Sequence, residues 1–497
     1  MHVSRTNPLP VAEKTFLGHP RGLFMLFFAE MWERFSYYGM RAILVLYMVA
    51  PLTGDNPGLG MDEGVSKAVY GAYTGLVYLL PIAGGWIADR VLGMRRTVLY
   101  GAIVIACGHY SMAIDQTATF WLGLLLIILG TGMLKANISG MVGQLYRDGE
   151  DARRDAGFSI FYMGINIVSL LAPLVCGTLG ERYNWHLGFG AAGIGMTLGL
   201  IQYVVGSKHL HGVGDHAVSP ATAEERNRAL RVVGIVVAFF AIVITALTMA
   251  GQDTVNAVTN TITLFILIVP IWYFRQILTR PGHSDEERSH VRAFVWIFLG
   301  AAFFWMIFEQ AGSTLTLFAD NVTDLTLFGS FDMPASWLQS VNPFFIVVFA
   351  PLFSMLWLRW GNRAPRTSIK FAVALVIVGF SFLILIIPSQ NYISTGAKAT
   401  VWWLIFVYLL QTWAELLLSP NGLSATTKLA PANLLGQFMA LWFLATSVGT
   451  TVGGQIARLT SDSPTLSFAV CGGMAVAFGV VMFVMAKKIN ALMGRVH

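Results

Sequence analysis

Long apolar runs, each about as long as a bilayer-crossing helix, alternate with short polar segments along almost the whole chain. A membrane helix needs about 20 mostly apolar residues. Runs of this kind fall near residues 22–50, 66–92, 97–115, 119–146, 156–181, 186–206, 228–250, 256–279, 291–319, 335–358, 369–388, 400–427, 433–457 and 465–486, which predicts 14 spans. Six precede a polar connector at 207–228, two follow it, and a second connector at 275–290 leads to the last six. The pattern predicts an all-α polytopic membrane protein with a 6 + 2 + 6 plan. Its parts are a six-helix bundle at 1–206, connectors with two extra helices at 207–290, and a second six-helix bundle at 291–497. Two six-helix halves suit alternating access around a site near the membrane midplane.

Composition sharpens the class. Of 497 residues, 56% are hydrophobic and 12% charged, against about a quarter charged in a soluble globular protein. The net charge of +6 would suit nucleic acid, but the positions of the bases exclude it. With the N-terminus placed in the cytoplasm, 25 of the 32 Lys and Arg residues fall in inside segments, four outside and three within spans. That bias is a positive-inside signature, with both termini cytoplasmic. The segment MHVSRTNPLPVAEKTFLGHPRG lacks a basic stretch leading directly into an apolar one. A retained first helix is therefore expected, not a cleaved signal peptide. Cys107, Cys176 and Cys471 show neither CxxC spacing nor His neighbours at metal-ligand intervals, which argues against a disulfide framework or a zinc site. No HExxH, Ser-His-Asp arrangement or paired metal ligands occur within the spans. A transporter is expected, not an enzyme, with no cofactor and no metal.

The stretch EMWERFSYYGMR at 30–41 sets four charges inside the first span. Steps of three and four return to one helix face. Glu30, Glu33, Arg34, Tyr37, Tyr38 and Arg41 therefore form one polar stripe, with Phe, Leu, Met and Ile on the other faces. A charge at the bilayer centre costs at least about 2.5 kcal/mol. The stripe has to face water or partner charges inside the bundle. One reading is a structural ion-pair lattice, since Glu30 and Arg34 stand four residues apart. Buried ion pairs are poor stabilisers, however, and Arg41 has no acid four residues away on its own helix.

Three other spans carry isolated ionisable groups: Lys135 in GTGMLKANISG, Glu309 in FFWMIFEQAG and Glu415 in LLQTWAELLLSPNG. All the intramembrane bases lie in the first half of the chain, and Glu309 and Glu415 in the second. A zwitterion reaching both halves would turn its carboxylate to the bases and its ammonium to an acid. Acids not needed for pairing would bind and release protons. In FYMGINIVS, Asn166 serves either as helix glue or as a ligand contact. In GWIADRVLGMRR, Asp89 and the neighbouring bases can bridge helix ends at an inner mouth. His109 is read as a structural histidine.

These strings carry a resemblance. GWIADRVLGMRR resembles the loop motif of the major facilitator superfamily, with Gly85, Asp89, Arg90, Arg95 and Arg96 as the cytoplasmic gate motif. EMWERFSYYG is similar to the ExxERFxYYG motif of the proton-dependent oligopeptide transporter family, and FYMGINIVS resembles its FYxxIN signature. FWMIFEQAGSTLTLFAD, ASWLQSVNPFFIVVFAP and WAELLLSPNGLSATTKLAP resemble its later motifs. The resemblance implies the superfamily fold and proton-coupled symport of di- and tripeptides into the cytoplasm, across a bacterial inner membrane. It implies proton coupling by Glu30, Glu33 and Arg34. It gives the peptide carboxylate to Arg34 and Lys135, with Tyr38 nearby, and pairs Arg41 with Glu309. It gives the peptide amino terminus to Glu415, Asn166 and Asn342, and the pocket walls to Tyr37, Tyr78, Trp305 and Trp442, with Ser419 beside them. A working monomer in lipid is expected. The alternatives are a member moving another anion or zwitterion, such as nitrate or a glucoside, and a non-transporting peptide sensor. Ala136 stands where the family usually has Pro, and Val168 where it usually has Gly.

Overall fold

The computed structural model describes residues 15–146, 150–279, 284–327, 329–431 and 434–494. Among the bases assigned to inside segments, Arg5, Lys14, Arg147, Arg280 and Arg495 lie outside the described residues. Fourteen α-helices among the described residues run 17 residues or longer. They are α1 (Arg21–Val49), α2 (Glu63–Leu79), α3 (Met94–Met112), α4 (Thr117–Gln144), α5 (Asp151–Arg182), α6 (Trp185–Gly206), α7 (Ala223–Met249), α8 (Thr254–Thr279), α9 (Asp285–Phe308), α10 (Val341–Trp360), α11 (Thr367–Leu383), α12 (Trp402–Leu429), α13 (Leu435–Leu459) and α14 (Pro464–Met493). Twelve helical stretches among the described residues are long and apolar enough to cross a membrane; α1 and α3 do not meet that measure. Five charged residues, Arg21, Glu30, Glu33, Arg34 and Arg41, lower the apolar character of α1. The bases Arg95 and Arg96 and His109 do the same in the 19 residues of α3.

Several expected spans are interrupted. α2 ends before Pro81, and the chain continues as a short helix, Pro81–Ile87, and one π turn, Ala88–Leu92. Proline has no N–H to offer the preceding turn. The expected run 291–319 breaks after Phe308 into a 3-10 turn, Glu309–Gly312, and a short helix, Thr314–Val322. The run 335–358 opens as a 3-10 segment, Ala335–Ser340, after Pro334. By contrast α4 passes through Ala136 without a break, as expected where proline is absent. Three two-residue strand pairs are the β-structure among the described residues.

The contacts divide the chain into two compact units. The first comprises residues up to Tyr38, Leu80–Ser169 and Gly190–Ala223; the second comprises Gly39–Leu79, Leu170–Phe189 and Glu224 onward. In the first, α3 and α4 approach along glycines: Gly101 faces the Gly130 carbonyl and Gly108 the Gly123 carbonyl. Small residues let membrane helices pack backbone to backbone. Leu26, Ile105, Leu134, Ile138, Met141 and Tyr203 fill the adjoining core.

The second unit uses the same device. Gly71 of α2 lies against Gly454 of α13, and Ser447 Oγ donates to the Gly75 carbonyl at 2.7 Å. The extra pair behaves unevenly. α8 is tied to α13 by Arg458, which donates to Asn256 Oδ1 at 2.5 Å and Asn260 Oδ1 at 2.8 Å, and by Gln455, which donates to Thr263 Oγ1 at 2.8 Å. Asp253 caps the start of α8 by accepting the Asn256 amide, which holds its carboxyl below the usual range. α7 buries none of its residues.

Candidate functional site

In the first unit the polar stripe of α1 is realised as an ion-pair cluster. Arg34 Nε lies 2.7 Å from Glu30 Oε1 and 3.0 Å from Glu33 Oε2. The three residues are 5%, 2% and 0% exposed. One guanidinium edge is thus shared by two carboxylates, each held one helical turn or less away. The i,i+4 pair follows from helix geometry. The Arg34–Glu33 contact joins adjacent residues, and only the bending of a long arginine side chain makes it. Lys135 of α4 belongs to the same unit, and its charge acts on Glu33. The Arg34 guanidinium carbon lies 6.0 Å from the Tyr37 ring centre, and Tyr37 meets Tyr38 edge to face at 5.3 Å. Cluster, phenols and second base thus occupy one region of one unit. Asn166, on α5, donates to the Tyr162 carbonyl one turn back at 3.0 Å.

A second acid–base group lies in the second unit. Arg41 Nη1 is 3.0 Å from Glu309 Oε2, with both side chains buried. Tyr78 Oη donates to Glu309 Oε1 at 3.4 Å. Glu309 opens the 3-10 turn after α9, so the change in helix type carries its carboxylate. On α12, Glu415 Oε2 accepts from Asn342 Nδ2 at 3.2 Å, and the same amide donates to Thr412 Oγ1 at 3.0 Å. The Glu309 charge acts on Glu415, so the two acids of this unit share one electrostatic neighbourhood. Trp305 packs edge-on against Phe308 at 5.1 Å. Trp442 is 6% exposed and packs edge to face with Phe371. The Ser419 hydroxyl is buried without a hydrogen-bond partner among the described residues.

The loop motif folds onto the connector that follows α6. Arg95 Nη1 pairs with Asp215 Oδ1 at 2.6 Å, and Arg90 Nη1 donates to Ser219 Oγ at 2.9 Å. Backbone amides of Ser219 and Ala221 donate to the carbonyls of Asp89 and Arg90 at 3.1 and 2.9 Å. Gly93 turns the chain at φ +80°, open to glycine at little cost. Gly85 has open space beside it, and Arg96 is exposed.

Reading along the sequence did not single out several participants. Tyr70 is 1% exposed, with the Arg41 guanidinium carbon 5.8 Å from its ring centre. It sits among small and apolar residues, and nothing local marks it. Thr412 shares the Asn342 amide, but a threonine inside a membrane helix carries no particular signal. Asp215 had one: an acid in a connector, available to the bases of an earlier loop. His109 is fully buried, and neither ring nitrogen has a hydrogen-bond partner among the described residues.

A family model described as the POT family matches residues 95–487. A di-/tripeptide transporter of Lactococcus lactis subsp. cremoris is 41% identical over 98% of this chain and 99% of its own length. A crystal structure of a peptide transporter POT in complex with sulfate superposes with a TM-score of 0.91 at 43% identity, covering 97% of this chain and 98% of that one. A POT family transporter in complex with 5-aminolevulinic acid gives a TM-score of 0.90 at 35% identity, covering 96% and 99%.

Proposed function

The chain belongs to the POT family of peptide transporters, and from that premise we propose that it is a proton-coupled symporter of di- and tripeptides, working by alternating access. The observation that carries this reading is the shared guanidinium of Arg34, held between Glu30 and Glu33 with all three side chains buried. Protonating either acid removes one of its two anionic partners. The base then turns to another anion, and a peptide carboxylate is the anion that every short peptide supplies.

In this reading Arg34 and Lys135, with Tyr38, hold the carboxylate. Glu415 receives the ammonium, oriented by the Asn342 amide, and Asn166 is assigned to the same task. Tyr37, Tyr78, Trp305, Trp442 and Ser419 accept varied side chains, because aromatic walls bind by area with little directional demand. The Arg41–Glu309 pair is a second place where a proton or a substrate charge exchanges partners. Both termini face the cytoplasm of a bacterial inner membrane, and the monomer is the working unit. The bases Arg90 and Arg95 hold the inner loop to its connector.

Uptake of labelled dialanine by proteoliposomes with an acidic exterior is the test. Uptake several times faster with the gradient than without it is expected. Equal rates with and without the gradient would remove proton coupling, and no saturable uptake at all would remove peptide transport. A second reading, a carrier of a compact amino acid-like zwitterion, is favoured by the relative bound to 5-aminolevulinic acid. Competition of dialanine uptake by that compound and by a panel of di-, tri- and tetrapeptides separates the two.

A further inference from the structure

We infer that Glu181, at the C-terminal end of α5, is a latch that holds the outer seam of the transporter shut, and so is a positioning residue for transport. This rests on the alternating-access reading and on the placement of that end of α5 outside the cytoplasm.

The seam runs between the last three turns of α5 and the 3-10 segment Ala335–Ser340, both within the second unit. At one end, Ser340 Oγ donates to the Leu170 carbonyl at 2.7 Å. In the middle, Trp337 Nε1 donates to Thr178 Oγ1 at 3.0 Å. At the other end, Glu181 Oε2 accepts the Ala335 amide at 2.8 Å, and Oε1 accepts the Ser336 amide at 3.0 Å. Beyond it, Arg182 donates to the Asp332 carbonyl and lies over the Phe331 ring at 4.7 Å. Leu170 to Glu181 is three helical turns, or about 16 Å of helix. The two surfaces meet closely because Gly177 has no side chain; a β-carbon there would collide with the Ser336 hydroxyl. Ser336 and Ser340 are 0% and 5% exposed.

Among these contacts Glu181 differs in kind. Each of its two oxygens takes its own backbone N–H, and hydrogen bonds to a charged acceptor are the strong ones. The amides of Ala335 and Ser336 begin a short turn and find no carbonyl within it. Parting the seam therefore strips two donors and one carboxylate together, and only water admitted from outside replaces them. The contact has two stable settings, joined and hydrated, and few between. The segments it joins come from opposite six-helix halves of the sequence, as a latch on alternating access requires. No other carboxylate makes hydrogen bonds across this seam among the described residues.

The test places a thiol in the seam. In a Cys107→Ser, Cys176→Ala background, Ser340→Cys is labelled from outside with a membrane-impermeant maleimide, with Glu181 present or replaced. Glu181→Ala is expected to raise the labelling rate about tenfold, the effect of losing one charged hydrogen-bonded partner on a two-state equilibrium. Glu181→Asp, which keeps the charge on a shorter arm, is expected to fall between. Where Glu181→Ala is poorly folded by size-exclusion chromatography, Glu181→Gln carries the same comparison. Equal labelling of a folded variant and its parent overturns the latch. Dialanine uptake by the parent, measured alongside, separates the two claims. A labelling change without uptake keeps the latch and ends the peptide reading, and uptake without a labelling change ends the latch alone.

Discussion

α1 and α7 have nearly the same length, 29 and 27 residues, and opposite characters. α7 is apolar enough to cross a membrane unaided, and it buries nothing. α1 falls short of that measure, yet Glu30, Glu33, Arg34 and Arg41 are all 6% exposed or less. In water the sorting would run the other way, with charge outside and Leu, Ile and Val within. Here the surrounding solvent is hydrocarbon, and the apolar helix is the one that needs no partner. The buried charges of α1 are met by one another and by Glu309: Arg34 lies between its two acids, and Arg41 pairs with Glu309. In the proposed function the buried charges of α1 do the work, and α7, whose charged residues all fall between Glu224 and Arg231, carries none of the proposed site residues.

Substitutions that remove a charge from the interior should break this contrast most sharply. Arg34→Ala leaves Glu30 and Glu33 facing one another without their shared cation. Removing one partner of a buried pair costs about 3–5 kcal/mol. Gradient-driven dialanine uptake should fall at least about a hundredfold, read in proteoliposomes at matched protein content.

Arg41→Met should cost a similar amount in thermal stability, because Glu309 is left buried without the base it pairs with. Adding Glu309→Met should recover most of that loss, since replacing a whole buried pair with apolar groups is often neutral or stabilising. A thermal-unfolding cycle in detergent reads this directly. A double variant as unstable as the sum of the single ones would show that the pair is not the coupled unit its 3.0 Å contact indicates.

Glu415→Ala removes one of the two acceptors of the Asn342 amide, and with it the proposed ammonium site. A hydrogen bond to a charged group contributes about 1.5–3 kcal/mol. The KM for dialanine should rise about ten- to a hundredfold with a smaller change in maximal rate, measured from concentration-dependent uptake. The smallest effect belongs to α7. Val233→Leu and Ile235→Leu stay apolar and touch no core, so stability should move by less than about 0.5 kcal/mol. Uptake should be unchanged.

Much of this arrangement is legible along the chain, and the limits are physical. Every long helix falls where an apolar run stands, because lipid demands internal backbone hydrogen bonding. The stripe from Glu30 to Arg41 is visible because helical spacing is local. The partner of Arg41 is not local: Glu309 comes from another helix, and only the family resemblance named it. Tyr70 went unnoticed because a phenol between Val69 and Gly71 looks like any other buried ring. Glu181 stands at the polar end of a span, and nothing local ties it to the amides of Ala335 and Ser336. The breaks after Leu79 and Phe308 escaped too, since apolar runs record where a chain crosses lipid and not where its helix changes type.

In the proposed coupling, a protonatable carboxylate beside Arg34 links the gradient to the peptide. Glu33→Gln tests it most directly, with gradient-driven dialanine uptake and gradient-free dialanine exchange measured on the same proteoliposomes. Driven uptake should be lost while exchange continues near the parental rate. Driven uptake that survives the substitution would contradict that coupling.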